Sequence, residues 1–245
     1  MRCIVANWKM NLLSGEAESF CEAFLAGYTP RPGVAVGIAP PFPLLRQVGD
    51  AIRAKGVRLF AQNGYAEPKG AFTGEVSMAQ LQDAGCAGVI IGHSERRQLF
   101  GETDAALVKK VKAAREWNLL PLLCVGETLA ERNAGFTLEV LGQQLSILAE
   151  TGPGPLWVAY EPVWAIGTGL RAEADQVHEA HTFIRTKVNQ FLDRNEYQVP
   201  ILYGGSVTPD NFPELLGISE VAGGLVGGAS LDPVKFSALA QQAGN

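Results

Sequence analysis

Three side chains in this sequence can move protons or balance a negative charge, and each stands at or just after the end of a short apolar segment. They are Lys9, His93 and Glu161. A lysine ammonium suits a phosphate or a developing enolate oxygen, and a histidine exchanges protons near neutral pH. A carboxylate whose basicity is raised by an apolar enclosure can remove a proton next to a carbonyl group. The set indicates acid–base chemistry on a small anionic substrate.

Each of these residues has an ordinary structural explanation when it is taken alone, because most lysines are surface charges and single histidines are often structural. The functional interpretation is favoured because several segment ends supply matching groups. Arg96 and Arg97 are expected to be structural ion-pair partners, whereas Glu95 suits either a structural role or a place in the site. His178 and His181 fall within a predicted helix.

The elements that must position these side chains alternate between strand and helix. Eight apolar segments are predicted strands, at residues 2–6, 34–39, 58–61, 88–91, 120–125, 156–161, 201–203 and 224–226. They lack polar alternation, which is typical of parallel strands covered on both faces. The intervening segments show helical periodicity. The pattern favours an α/β fold, a closed (β/α)8 barrel forming one domain over residues 1–245, because closure leaves no exposed strand edges.

Glycine pairs follow the last two predicted strands: Gly204-Gly205, which precedes Ser206, and Gly227-Gly228. A single pair would indicate only a tight turn. In such barrels, however, backbone N–H groups and a short helix N-terminus after strands seven and eight commonly hold phosphate. A Cβ atom would keep an anion away from these amides, so the sequence predicts a phosphate site here.

Residues 163–169, which follow Glu161 and Pro162, form an apolar segment that contains Gly167 and Gly169. An exposed loop of this composition is unfavourable in water. The segment is interpreted as a lid that moves between open and closed positions, with the glycines adopting backbone conformations that other residues resist. The alternative is a fixed loop packed on the rim of the barrel.

The overall composition excludes several classes of protein. A net charge of −5 and a pI near 5.3 argue against a nucleic-acid partner or an anionic membrane surface. Cys3, Cys21, Cys86 and Cys124 are widely spaced and are expected to be buried and reduced, with no metal site. The N-terminus runs directly into a strand without a leader peptide, so a cytoplasmic location is expected.

Longer segments make a family resemblance apparent. Asn7-Trp8-Lys9-Met10-Asn11, Gly92-His93-Ser94-Glu95-Arg96-Arg97 and Tyr160-Glu161-Pro162-Val163-Trp164 occur in this order, and Cys124-Val125-Gly126-Glu127 lies between the last two. In these segments the chain resembles the triosephosphate isomerase family. The resemblance implies a TIM barrel that interconverts dihydroxyacetone phosphate and D-glyceraldehyde 3-phosphate, in glycolysis and gluconeogenesis, without a cofactor or metal.

The resemblance also implies a role for each matching residue. Glu161 would be the base, His93 a neutral electrophile, and Asn7 and Lys9 would bind the substrate and stabilise the enediolate. The residues whose amides would hold phosphate are Gly167, Ser206, Gly227 and Gly228. A homodimer is implied as well: residues 62–75, from Gln62 to Glu75, resemble the loop that inserts into a neighbouring subunit, where Thr73 would support Asn7 and Glu75 would pair with Arg96.

The sequence departs from the family pattern at two places. The distal end of the lid reads Leu170-Arg171-Ala172, where the family commonly has Lys-Thr-Ala, so the rate of closure is expected to differ. Ala222 replaces an acidic residue, which would leave Arg185 without its usual partner. Neither change affects the predicted catalytic atoms.

Other functions of a phosphate-binding barrel fit less well. A pentose-phosphate epimerase needs a set of metal ligands that three histidines, two of them helical, do not supply, and an aldolase needs an imine-forming lysine that the sixth strand lacks. A third interpretation is a barrel that serves as a binding or scaffold protein without catalysis. Loss of Lys9, His93 or Glu161 would favour it. All three are present.

Overall fold

The structure, a computed structural model, describes residues 1–167, 170–192 and 198–244. Its strands are β1 Arg2–Asn7, β2 Val34–Ala39, β3 Arg58–Ala61, β4 Gly88–Ile91, β5 Leu120–Val125, β6 Trp157–Tyr160, β7 Ile201–Tyr203 and β8 Gly223–Val226. Each strand runs parallel to the next, and β8 pairs with β1 to close the barrel. The predicted (β/α)8 TIM barrel is confirmed.

The predicted strand bounds are right except at β1, β6 and β8. β1 extends to Asn7, because this residue still pairs with Ala39 of β2. β6 ends before Glu161, although the Glu161 N–H still donates to the carbonyl oxygen of Val125 at 2.8 Å. β8 begins at Gly223, where a Cβ atom would lie 1.6 Å from the carbonyl oxygen of Cys3. The closing pair of strands therefore requires glycine at this position.

Helices connect the strands and cover the outside of the barrel. They are α1 Ser14–Gly27, α2 Leu45–Ile52, α3 Met78–Asp83, α4 Ser94–Leu99, α5 Asp104–Glu116, α6 Leu129–Asn133, α7 Thr137–Leu145, α8 Ile147–Thr151, α9 Ala174–Phe191, α10 Phe212–Gly217 and α11 Pro233–Gln242. The helical periodicity predicted from the sequence is seen in α5, where the apolar residues Leu107, Val111 and Ala114 are fully buried. Among the helices described, none is both long and apolar enough to cross a membrane.

Two apolar clusters hold the barrel together, because alternate strand residues point to opposite faces. One cluster includes Val5, Phe60 and Leu202 and fills the interior. The other includes Ile4 and joins the outward faces of the strands to the helices. The filled interior makes the barrel a rigid support, so its strand ends can hold side chains in fixed positions.

The four cysteines are buried and unpaired, as predicted. Burial raises the pKa of Cys3 and Cys86 to about 12 and that of Cys21 to about 11. It also raises the pKa of Cys124 well above the ordinary value. Thiols that stay protonated are poor nucleophiles, which fits a packing role.

Candidate active site

A cleft of about 240 Å³ opens at the carboxyl ends of the strands. Its lining includes every site residue expected from the sequence: Asn7, Lys9, His93, Glu161, Gly167, Ser206, Gly227 and Gly228. These residues come from the ends of five strands, and the barrel brings them together on one rim. Within the described ranges, no group of three or more His, Cys, Asp or Glu side chains is placed to hold a metal ion.

Lys9 stands two residues beyond β1 in a left-handed backbone conformation, with φ of 52°. This conformation is uncommon for a residue with a Cβ atom and needs local support. The Lys9 N–H donates to Oδ1 of Asn7 at 3.1 Å, and the Lys9 carbonyl oxygen accepts from Nε2 of Gln62 at 2.8 Å. Gln62 also donates to the Ala39 carbonyl at 2.9 Å. This role of Gln62 could not be predicted from the sequence.

The Lys9 ammonium contacts the carboxylate of Glu95, with Nζ 2.6 Å from Oε1. The sequence left Glu95 open between a structural role and a place in the site, and the structure places it beside Lys9. Arg97 pairs with Asp104 at 2.7 Å, and Arg96 pairs with Glu102 at the same distance. The expectation that these arginines form ion pairs is confirmed.

His93 precedes α4 and caps its N-terminus, with Nδ1 accepting a hydrogen bond from the Glu95 N–H at 3.3 Å. A ring nitrogen that accepts carries no proton, so this bond selects the neutral imidazole with its proton on Nε2. Nε2 lies 2.9 Å from Oε1 of Glu161. Burial lowers the pKa of His93, but the Glu161 carboxylate outweighs burial and raises the pKa of His93 above its ordinary value. The rise depends on this contact.

Glu161 follows β6 and is buried, with 2% of its surface exposed. Its second carboxylate oxygen accepts from the Ser94 N–H at 2.9 Å. Burial raises the pKa of Glu161, but His93 and the Ser94 N–H outweigh it, so the net pKa lies below the ordinary value. The burial expected from the sequence is present, but without the expected rise in basicity, because two donors hold the carboxylate in this position.

Both glycine pairs line the cleft, with Gly227 beside Lys9 and Gly204 beside Glu161. A Cβ atom on Gly227 would lie 3.5 Å from Cε of Lys9, and a short 3₁₀ turn, Gly228–Leu231, begins here. The loop after β7 is held by Asn211, whose Oδ1 accepts from the Thr208 N–H at 2.8 Å and whose Nδ2 donates to the Ser206 carbonyl at 2.9 Å. Asn211 was not recognised from the sequence.

The segment interpreted as a lid begins with a 3₁₀ turn, Val163–Ala165, and Gly167 has a left-handed φ of 68°. Thr168 and Gly169 lie outside the described residues. The Trp164 Nε1–H donates to Oε1 of the buried Glu127 at 2.9 Å. Tyr160 and Arg132 contact the same carboxylate at 3.1 Å and 3.3 Å. Glu127 therefore anchors the start of the lid, a role that the sequence did not reveal.

Arg185 has a carboxylate partner despite the alanine at position 222. Its Nε atom lies 2.8 Å from Oε2 of Glu220, and its Nη2 donates to the Val199 carbonyl oxygen at 2.8 Å. The usual partner of Arg185 is absent, as expected, but Glu220 takes the place of the missing acid. The departure at Ala222 therefore leaves no unpaired arginine.

Comparison with known proteins shows the family to which the chain is similar. The family model described as triosephosphate isomerase matches residues 2–243. Relatives named triosephosphate isomerase include that of Endomicrobium trichonymphae, 46% identical with 96% of both chains covered. The relative from Aquifex aeolicus is 46% identical, covering 97% of this chain and 98% of its own, and that from Moorella thermoacetica is 47% identical, covering 96% of each. The chain belongs to the triosephosphate isomerase family.

Proposed function

We propose that this chain interconverts dihydroxyacetone phosphate and D-glyceraldehyde 3-phosphate, in glycolysis and gluconeogenesis, with its own side chains alone. The observation that carries the proposal is the single cleft lined by Lys9, His93 and Glu161 together with both glycine pairs. The cleft thus has a carboxylate, an imidazole and an ammonium near the backbone of two glycine pairs. These are the groups needed to move a proton between the carbons of a small sugar phosphate.

Glu161 removes a proton from the carbon beside the carbonyl group and returns it to the adjacent carbon. His93 gives its Nε2 proton to the carbonyl oxygen and takes the proton of the neighbouring hydroxyl, so no proton is lost overall. Lys9 offsets the negative charge of the enediolate that forms between these steps. For this to happen, the Glu161 carboxylate leaves His93 and the Ser94 N–H, which also removes the contact that raises the pKa of His93.

The phosphate group is proposed to bind the amides of Gly167, Ser206, Gly227 and Gly228, while Asn7 contacts the reacting part of the substrate. Closure of residues 163–169 would exclude water and complete this set of amides. The residues that follow the lid, Leu170-Arg171-Ala172, are proposed to change the rate of this motion and to leave the chemistry unchanged. We further propose one catalytic domain over residues 1–245 and a cytoplasmic location.

The proposal is tested by a coupled assay with purified protein in the presence of a chelator. Turnover is expected in both directions, because an enzyme accelerates the forward and reverse reactions alike. Adding divalent metal is expected to change nothing. Well-folded protein without turnover would show that the proposed activity is wrong.

We also propose a homodimer formed through residues 62–75. The loop stands exposed after β3, with Phe72 39% exposed and its ring 4.7 Å from that of Tyr65. Further large apolar side chains are exposed in the segment after β1, at Met10 and Leu13, and at the end of α4, at Leu99 and Phe100. Exposed apolar groups on one face favour association with another protein surface, here a second copy of the chain.

Light scattering is expected to give twice the 26.1 kDa mass of one chain. Phe72→Asp places a charge in the proposed interface, so we expect it to shift the protein toward monomer and to lower activity. Phe136→Asp is the matched control, because Phe136 is 52% exposed and precedes α7, away from these loops. An active monomer of the unchanged chain at assay concentration would contradict the proposed dimer.

A further inference from the structure

The backbone of Glu161 is held by the loop that follows β5. The Glu161 N–H donates to the Val125 carbonyl at 2.8 Å, and the Val163 N–H donates to the Glu127 carbonyl at 3.1 Å. Residues 125–127 therefore continue as a parallel partner of residues 161–163 beyond the ends of both strands. The position of the Glu161 backbone depends on the position of this loop.

Gly126, in the middle of the loop, touches the backbone of Glu161 directly. A Cβ atom on Gly126 would lie 1.7 Å from the Glu161 carbonyl oxygen, so no side chain fits between the two. Displacement of Gly126 toward or away from β6 must therefore move Glu161 or leave a gap beside it. The contact is a mechanical link between the loop and Glu161.

Gly126 needs a hydrogen-bonding partner on its other side, because β4 ends at Ile91, which pairs with Leu123, before it reaches Gly126. Gln144, in the last turn of α7, supplies one. The Gly126 N–H donates to Oε1 of Gln144 at 2.8 Å, and Nε2 of Gln144 donates to the Gly126 carbonyl at 3.0 Å. The side-chain amide thus replaces a neighbouring strand, with one donor and one acceptor.

We propose that Gln144 is a positioning residue for Glu161, which it holds in place through Gly126. The inference rests on the proposed function, since it assigns Gln144 to the step in which Glu161 removes a proton. Gln144 and Glu161 also line one cavity of about 170 Å³ behind the cleft. Loss of the amide lets water from this cavity bind the Gly126 peptide groups, so the loop stays folded but loses its fixed position.

Gln144→Leu is the direct test, because leucine occupies a similar volume and forms neither hydrogen bond. We expect kcat to fall about 10- to 100-fold, since a shift of about 1 Å in a reacting group can cost this much. KM and inhibition by inorganic phosphate are expected to stay within about twofold, because Gln144 does not line the cleft. Gln143→Leu, an exposed neighbour on α7, is the matched control and should keep full activity.

Gln144→Glu provides a second test, the pH dependence of kcat. A general loss of stability would not produce this dependence. Ionised glutamate repels the Gly126 carbonyl oxygen, whereas the protonated acid can donate to it and still accept from the Gly126 N–H. The ratio of its kcat to that of the unchanged chain should therefore rise as the pH falls. A flat ratio would contradict the proposal, whether or not Gln144→Leu folds.

A third measurement does not depend on turnover. The Glu161 carboxylate raises the pKa of His93, so displacement of Glu161 in Gln144→Leu should lower the pKa of His93 measured by NMR titration of the free protein. A folded Gln144→Leu protein with unchanged kcat and an unchanged His93 titration would overturn the inference alone. If the unchanged chain were inactive while Gln144→Leu still shifted the pKa of His93, the proposed reaction would be wrong. The contact between the loop and Glu161 would then be the only part of the inference left standing.

Discussion

Glu161→Asp is expected to lower kcat for triose phosphate isomerisation by about 100-fold or more and to leave KM within about threefold of its original value. The substitution keeps the carboxylate but withdraws it by one methylene group. Glu161 stands at the end of β6 on a backbone that is fixed by Val125, so the fold cannot move it forward to compensate. A base that acts only in the transition state affects kcat much more than substrate binding. Steady-state kinetics in both directions measure the split.

The matched control for this substitution is Glu179→Asp, which makes the same chemical change on an exposed position of α9. Its kinetic constants should equal those of the unchanged chain. A loss shared equally between kcat and KM in Glu161→Asp would show that Glu161 is not the base. Thermal unfolding of both variants separates a loss of chemistry from a loss of structure.

The strands could be located from the sequence because each is buried on both faces and therefore reads as an uninterrupted apolar run. The errors at the ends of β1, β6 and β8 have a common cause. Pairing at a strand end depends on the neighbouring strand, as when Asn7 pairs with Ala39, and a single segment contains no information about its neighbour's length. The middle of each strand was therefore easier to predict than its first and last residues.

The lining of the cleft was also accessible from the sequence, since closure of a parallel barrel brings all the strand ends to one rim. The residues that support the lining could not be predicted from the sequence. Gln62, Glu127 and Gln144 bind backbone groups or distant side chains, as when Gln62 donates to the carbonyls of Lys9 and Ala39. Nothing near a glutamine in the sequence specifies such a partner. The lowered pKa of Glu161 could not be predicted either, because it depends partly on a hydrogen bond from the Ser94 N–H. This contact forms only in the folded chain.

Lys9→Met is expected to lower kcat/KM by about 1000-fold or more, through both a higher KM and a lower kcat. Lys9 lies beside Gly227 and lines the cleft with His93 and Glu161, so we expect its charge to act on the bound phosphate and on the enediolate. Methionine keeps the apolar stem and meets the same backbone cost at a φ of 52°, so the variant differs chiefly in the charge. The coupled assay gives both constants.

The stability of Lys9→Met should change little, because the Glu95 side chain that loses its partner is 41% exposed and water can hydrate its carboxylate. Lys109→Met, at an exposed position of α5, is the matched control and should keep the original kcat/KM. Lys9→Arg keeps the charge but replaces a point charge with a wider planar group, so its activity should lie between those of Lys9→Met and the unchanged chain. If Lys9→Met kept its activity, Lys9 would be only an ion-pair partner of Glu95, and the charge of the enediolate would have to be offset by His93 and the backbone amides.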